Sequence, residues 1–370
     1  VSAVPNDRPA QQALASRVAR ALAGPLFAVL VSFAVGGLLV LALGRDPLEV
    51  YGALLTGAFS GWPNFSVTLQ MMTPLLFTGL AVALAFRSGM WNIGVEGQML
   101  MGALFAGTVG YAAPLPDVLM IPACVVAALI GGAAWAAIPA VLRVFVGVNE
   151  LVICLMLNPI ALLLTGYISA RVLKAPGPTN KLPDVVDAAR WTNYTLYSQL
   201  NTGIFIGLGC CILVAIFNVA TTRGFEWKLI GLNARFANYG GIRIRSNVIA
   251  VMLMSGAIAG LAGAEQVLGV YGAFYDNFSP GYGFDGIAVA MLANSNPIGV
   301  ILSSFLFGAL NSGSSVLQMQ LGISKYLVQV LQFLVVLILA ARFTWPWRGW
   351  RRAVAAKSPS SEQPRAAKEA

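Results

Sequence analysis

Runs of about twenty apolar residues, repeated along the chain with almost no charge inside them, leave one solvent in which this sequence can fold. PLFAVLVSFAVGGLLVLALG and VLMIPACVVAALIGGAAWAAI are two of them. A helix of that length crosses about 30 Å of hydrocarbon. Only 10% of the residues are charged and 58% are hydrophobic, whereas an average soluble domain is about 25% charged. Hydropathy places ten candidate spans near 22–43, 66–86, 97–113, 118–138, 150–170, 203–221, 246–265, 283–294, 298–318 and 324–342. The expectation is an all-α polytopic membrane protein with about ten transmembrane helices. Its membrane domain would run over 22–342, behind a polar segment 1–21 and ahead of a polar, Pro/Ser/Ala-rich tail 343–370, expected to be disordered. The first apolar run is too long for a signal-peptide core and reads as a helix that stays.

Charge sets orientation rather than partner. The net charge of +9 comes from 23 basic residues, and basic residues gather in cytoplasmic loops of membrane proteins. With the N-terminus inside and ten alternating spans, seventeen of the 23 fall on the inside. Both termini are therefore expected in the cytoplasm, with Trp345, Trp347 and Trp350 as an interfacial anchor. The charge is not a nucleic-acid signal. Histidine is absent, which removes Ser-His-Asp, Cys-His and His-metal chemistry. Cys124, Cys154, Cys210 and Cys211 all lie in apolar runs without metal or redox spacing and read as packing residues.

Two glycine-rich interruptions carry polar groups. GMWNIGVEGQML (89–100) sets Asn92, Glu96 and Gln98 between apolar runs, where a carboxylate is costly unless solvated, paired or used. In one reading Glu96 caps the following span, favoured by the helix dipole, while Asn92 and Gln98 satisfy backbone groups freed by a broken helix. In the other, the three side chains touch a polar substrate or line a gate. FYDNFSPGYGFDG (274–286) offers Phe274, Tyr275, Phe278, Tyr282 and Phe284 with Asp276, Asn277 and Asp285. Tyr275, Asn277, Phe278, Tyr282 and Phe284 are candidates for a path that accepts an aromatic base or a sugar face. An interfacial aromatic belt explains the same rings. Gly281, Gly283 and Gly286 spell GxGxxG, but no strand precedes them. The two interruptions are displaced by five spans, so the units around them would be inverted repeats, a recurrent transporter plan.

Three further features stand out. Residues 171–202 form a long loop expected outside, and 222–245 one expected inside. Within the latter, GLNARFANYGGI (231–242) puts Leu232, Phe236 and Tyr239 at i, i+4 and i+7 on one helical face. That face would dock in a cytoplasmic groove or lie in the lipid interface. Glu150 begins the fifth span after Asn149, where a cap or a path-lining role fits. Glu265 follows Gly256 and Gly260, whose GxxxG spacing offers a small-residue packing face.

FRSGMWNIGVEGQMLMGALFAG, GVNELVICLMLNPIA, GLNARFANYGGI, SGAIAGLAGAEQVLGV and GYGFDGIAVAMLANSNPIGV, in that order, resemble the nucleoside and simple-sugar branch of ABC importer permeases, within the branched-chain amino acid/ribose permease superfamily. The resemblance implies a bundle like that of the vitamin B12 importers (type II ABC importers) in a bacterial inner membrane. It implies a second permease chain, homo- or heterodimeric, and a substrate-binding lipoprotein outside. It also implies a cytoplasmic ABC ATPase gripping a coupling helix, for which Gly231, Leu232, Asn233, Arg235, Phe236 and Tyr239 are the candidates. No GxxxxGK[ST] occurs, so ATP and Mg would be bound by the partner ATPase and no cofactor by this chain. The expected cargo is a nucleoside, with a simple sugar or riboside next. The rival is an ion-gradient-driven secondary transporter of a small polar solute, which would use intramembrane carboxylates or cation-coordinating unwound backbone; the near absence of charge inside the spans counts against proton coupling and leaves sodium open.

Overall fold

The structure, a computed structural model, describes residues 27 and 29–340. The polar segment 1–21, the tail 343–370 and the tryptophans at 345, 347 and 350 lie outside the described residues, and the orientation expected for the termini goes with them. The helices are α1 (Val29–Ala42), α2 (Pro47–Phe59), α3 (Gly61–Arg87), α4 (Val95–Ala112), α5 (Asp117–Val141) and α6 (Glu150–Tyr167). They continue with α7 (Gly203–Ala220), α8 (Thr222–Leu232), α9 (Ala234–Tyr239), α10 (Ile244–Ala264), α11 (Tyr282–Leu292), α12 (Pro297–Leu321) and α13 (Tyr326–Ala340). Among the described residues no strand forms beyond two isolated bridges, Lys181–Tyr275 and Asn193–Asn201.

Each of the ten hydropathy stretches coincides with a helix. Six helices are long and apolar enough to cross a membrane: α3, α5, α6, α7, α10 and α12, with α5, α6 and α10 extended by π-helical turns. Helix α2 was not expected. Its 13 residues are too few to register as a span, yet its ends are encoded: Asp46 accepts a hydrogen bond from the Leu48 N–H at 2.8 Å, and Pro47 sits at the first helical position. Asn296 and Pro297 open α12 the same way. Glycine lets α2 lie on α12, since a Cβ at Gly57 would come 3.0 Å from the Gly313 Cα.

The centre is a three-helix seam of α4, α5 and α10, and glycine makes it. A Cβ at Gly102 would fall 2.4 Å from the Gly260 Cα, one at Gly132 2.1 Å from the Gly256 carbonyl oxygen, and one at Gly260 2.1 Å from the Ala128 carbonyl oxygen. The backbones touch. In lipid no hydrophobic effect drives helices together, so close van der Waals packing of small residues must do so. The GxxxG face read from Gly256 and Gly260 is this seam. The helices around it leave two gaps, between α3 and α4 and between α10 and α11, and these are the two interruptions.

Candidate functional site

The first interruption is a network of amides. Gly89 turns the chain out of α3 with φ +75°, a conformation that glycine adopts without penalty. Asn92 is fully buried. Its Oδ1 accepts from the Gly94 N–H at 3.2 Å and from Gln98 Nε2 at 2.8 Å. Its Nδ2 donates to Gln98 Oε1 at 2.9 Å and to Ser255 Oγ at 2.8 Å, and Ser255 donates to the Ala81 carbonyl at 2.7 Å. Asn158 closes the other side: its Nδ2 donates to the Ile93 carbonyl at 3.0 Å and its Oδ1 accepts from the Gly97 N–H at 3.0 Å. Backbone groups released where the helix breaks are thus paired inside the protein, the condition for irregular chain at membrane depth. Asn158 was not singled out from sequence. An amide inside an apolar run, just before Pro159, was the available signal.

Glu96 ties the two interruptions together. It lies in the first turn of α4, and its Oε2 accepts from the Gly283 N–H at 2.6 Å. Gly283 is the second residue of α11. One carboxylate therefore faces two helix N-termini, its own and that of α11, each carrying partial positive charge. Glu96 does not cap its own helix as expected: the N-terminus of α4 has no side-chain cap, and the carboxylate accepts instead from an N–H donated by the first turn of α11. Glycine is needed at 283 because a Cβ there would lie 2.4 Å from the Glu96 nitrogen. Replacing Glu96 by Ala strands a buried N–H and removes the charge between two dipoles. The expected loss is about 2–4 kcal/mol, with Glu96→Gln in between because it keeps an acceptor. Thermal unfolding of the purified protein in detergent checks this; equal melting temperatures for all three would show that the tie holds nothing.

The aromatic rings of the second interruption do not form one surface. Phe274 and Phe278 pack edge to face at 5.7 Å between centroids, and Tyr271 contacts Tyr275 at 5.8 Å and Phe278 at 6.0 Å. Asn277 adopts φ +54° in the turn. The long 171–202 loop is laid over this cluster by backbone hydrogen bonds: Trp191 N to Leu268 O, Val185 N to Gly272 O and Leu182 N to Phe274 O, each 2.9 Å, and Asp276 N to Asn180 O at 3.0 Å. Lys181 stands over the Tyr275 ring at 5.5 Å and donates to Asp184 at 2.7 Å, which holds its ammonium above the ordinary lysine range. Phe284 is exposed. Tyr282 is buried and lines a cavity beside α12 and α13.

The 222–245 segment carries a free face. It was expected as one helix over 231–242; the chain instead breaks at Asn233, where φ is −159°, into α8 and α9. The break is capped, since Asn233 Oδ1 accepts from the Phe236 N–H at 3.0 Å. Leu232 is 73%, Phe236 62% and Tyr239 91% exposed, with Arg235 exposed beside them. Thr221 caps α8, and Trp227 fastens it to α10 through a 2.9 Å bond to Asn247. At Gly231 the last turn of α8 meets the exit of α3: a Cβ there would lie 2.2 Å from the Arg87 carbonyl oxygen.

Two further buried glutamates, Glu150 and Glu265, are engaged. Asn149, not Glu150, caps α6, by accepting from the Leu151 N–H at 3.0 Å. Buried Glu150 pairs with Arg143. Glu265 is fully buried and accepts from Asn201 Nδ2 at 2.9 Å and Gln266 Nε2 at 2.6 Å.

The polar side chains of the first interruption are thus paired within the bundle, and an apolar face is left exposed on the 222–245 segment. Residues 64–340 match the family described as branched-chain amino acid transport system / permease component. The chain belongs to this permease family. The permease is 35% identical over 324 residues to the guanosine ABC transporter permease protein NupP of Bacillus subtilis, covering 86% of this chain and 93% of that one. It is 32% identical to the glucose ABC transporter permease protein TsgB13 of Haloferax volcanii, over 85% of this chain and 86% of that one. It is 33% identical to the nucleoside ABC transporter permease protein NupB of Lactococcus lactis, over 86% of this chain and 90% of that one. No solved structure matches the permease. The family and the six apolar helices make it a multi-pass membrane protein and a transporter permease component.

Proposed function

We propose that this permease is the translocating subunit of an ATP-driven importer that carries nucleosides across a bacterial inner membrane, with both termini in the cytoplasm. The observation that carries the coupling is the exposed Leu232–Phe236–Tyr239 face on a loop whose base, Gly231, touches the α3 exit backbone to backbone. A cytoplasmic ABC ATPase, which binds ATP and Mg, grips α9. The push passes through residues 87–89 into the Asn92–Gln98 network and across Glu96 to α11. The meeting of the two interruptions at Glu96 and Gly283 supports inverted repeats in a ten-span, vitamin B12-importer-like bundle. A second permease chain completes the path, and a binding lipoprotein delivers the cargo to the side of the 171–202 loop. Two of the three relatives above are named for guanosine or nucleosides, which favours that cargo over a simple sugar.

The test is uptake of labelled guanosine by proteoliposomes holding permease, ATPase and binding protein. Uptake is expected only with ATP. Uptake that continues without ATP and follows a sodium or proton gradient would overturn the reading. In the same preparation Phe236→Asp, on a fully outward face, is expected to lower co-purifying ATPase by about tenfold or more, as loss of a central aromatic anchor does at interfaces.

A further inference from the structure

Three carboxylates of the bundle have very different surroundings. Glu96 and Glu265 accept short bonds from an N–H and from two amides. Asp285, in the first turn of α11, has among the described residues one bond, a long one of 3.4 Å from Asn311 Nδ2 to its Oδ2. Asn311 cannot turn to serve it better, because its Oδ1 is held at 2.8 Å by Gln332 Nε2. A carboxylate offers about four acceptor sites, and leaving them empty inside a membrane is unfavourable. Asp285 faces a cavity of about 380 Å³ that it lines with Tyr282, Asn311, Gln332 and Tyr326. Gln332 and Tyr282 are buried at its floor, while Tyr326 and Lys325 are exposed at its mouth. Lys325 shares the cavity but makes no ion pair with Asp285, and among the described residues no other cation pairs with that carboxylate.

An acceptor-rich floor, an amide fixed beside it and two phenol rings define the missing occupant. It brings paired hydroxyl donors at one end and a flat apolar face at the other, and the volume lies within the range of small-molecule sites. We propose that this cavity is a riboside-binding station, in which Asp285 and Asn311 read the vicinal hydroxyls of the ribose while the base lies among Tyr282 and Tyr326. The assignment rests on the nucleoside reading above and adds to it where the sugar is recognised. Tyr282 and Asp285 were visible in the FYDNFSPGYGFDG stretch; Asn311 and Gln332 come from two other helices and were not.

The test places a reporter thiol at the rim. Ser315 is exposed and lines the cavity, and the native cysteines at 124, 154 and 211 are buried with Cys210 partly so. Maleimide labelling of Ser315→Cys is followed in proteoliposomes of the full complex, with the unsubstituted protein as background. Guanosine is expected to slow labelling, and 2′,3′-dideoxyguanosine to need about tenfold or more higher concentration for the same protection, since hydrogen bonds to a charged group are lost. Asn311→Leu is expected to remove that difference. Equal protection by the two nucleosides, or none, in a complex that takes up guanosine overturns the station and leaves the importer standing. A complex that takes up no nucleoside overturns both.

Discussion

Gly260→Val is expected to abolish recovery of folded permease. Even the first carbon of the new side chain would sit 2.1 Å from the Ala128 carbonyl oxygen and 3.3 Å from the Gly132 Cα. Those are backbone atoms of α5, so no rotamer change relieves the clash; the helix must move. Gly102 of α4 is packed on the same residue, 2.4 Å from its virtual Cβ to the Gly260 Cα, so moving one helix opens both seams. Overpacking in a close-packed core costs about 1–3 kcal/mol when side chains can adjust. Here three backbones are forced apart, and about 4 kcal/mol or more is expected, in the range reserved for severe core lesions. Gly209→Val is the control, because nothing lies within 4 Å of a Cβ at that position on α7. Fluorescence-detected size exclusion after mild detergent extraction reads both. A monodisperse Gly260→Val peak at the unsubstituted yield would mean that the seam is not what holds the bundle together.

What could be read from the sequence follows from the solvent. In lipid, span length and apolarity are local properties, so the ten helical stretches and the GxxxG face at Gly256 and Gly260 were legible without any knowledge of packing. Helix α2 was missed because its 13 residues satisfy no length rule, although Asp46 and Pro47 write its start. The candidate site was legible by composition and not by partner. Asn92, Glu96 and Gln98 declared themselves as polar groups in an apolar run. That Glu96 answers an N–H 187 positions away is a tertiary fact, as are the supports from Asn158 and Ser255. Where the aromatic rings of 274–286 lie is a tertiary fact too. Sequence gives their number, but only packing sends Phe274 and Phe278 into a cluster, leaves Phe284 exposed and brings Tyr282 to a cavity. Periodicity put Leu232, Phe236 and Tyr239 on one face of a single helix; the chain instead breaks at Asn233, with Leu232 ending α8 and the other two on α9, and all three side chains are exposed.

Gly231→Val is expected to separate motor from path while leaving the motor in place. Gly231 lies in the last turn of α8 next to the exposed face, but its own contacts run inward: a Cβ would meet the Arg87 carbonyl oxygen at 2.2 Å and the Gly89 nitrogen at 3.1 Å. The approach is mutual, since a Cβ at Gly89 would meet the Gly231 Cα at 3.2 Å. A valine must therefore lift the end of α8 off the α3 exit by an ångström or so, on the order of a lost van der Waals contact. Displacement can be passed on only through packed elements with two discrete arrangements, and this contact is the point where the α8–α9 loop touches the segment leading to Asn92 and Glu96. Phe236 and Tyr239 point away from it and stay exposed, so ATPase binding is expected within about twofold of normal and basal ATP hydrolysis should continue. ATP-driven uptake is expected to fall by about tenfold or more, a modest coupling free energy of about 1.4 kcal/mol. Co-purification, ATP hydrolysis and uptake measured on one preparation separate the outcomes. Loss of the ATPase would make the contact part of the docking surface, and undiminished uptake would show that force reaches α11 by another route.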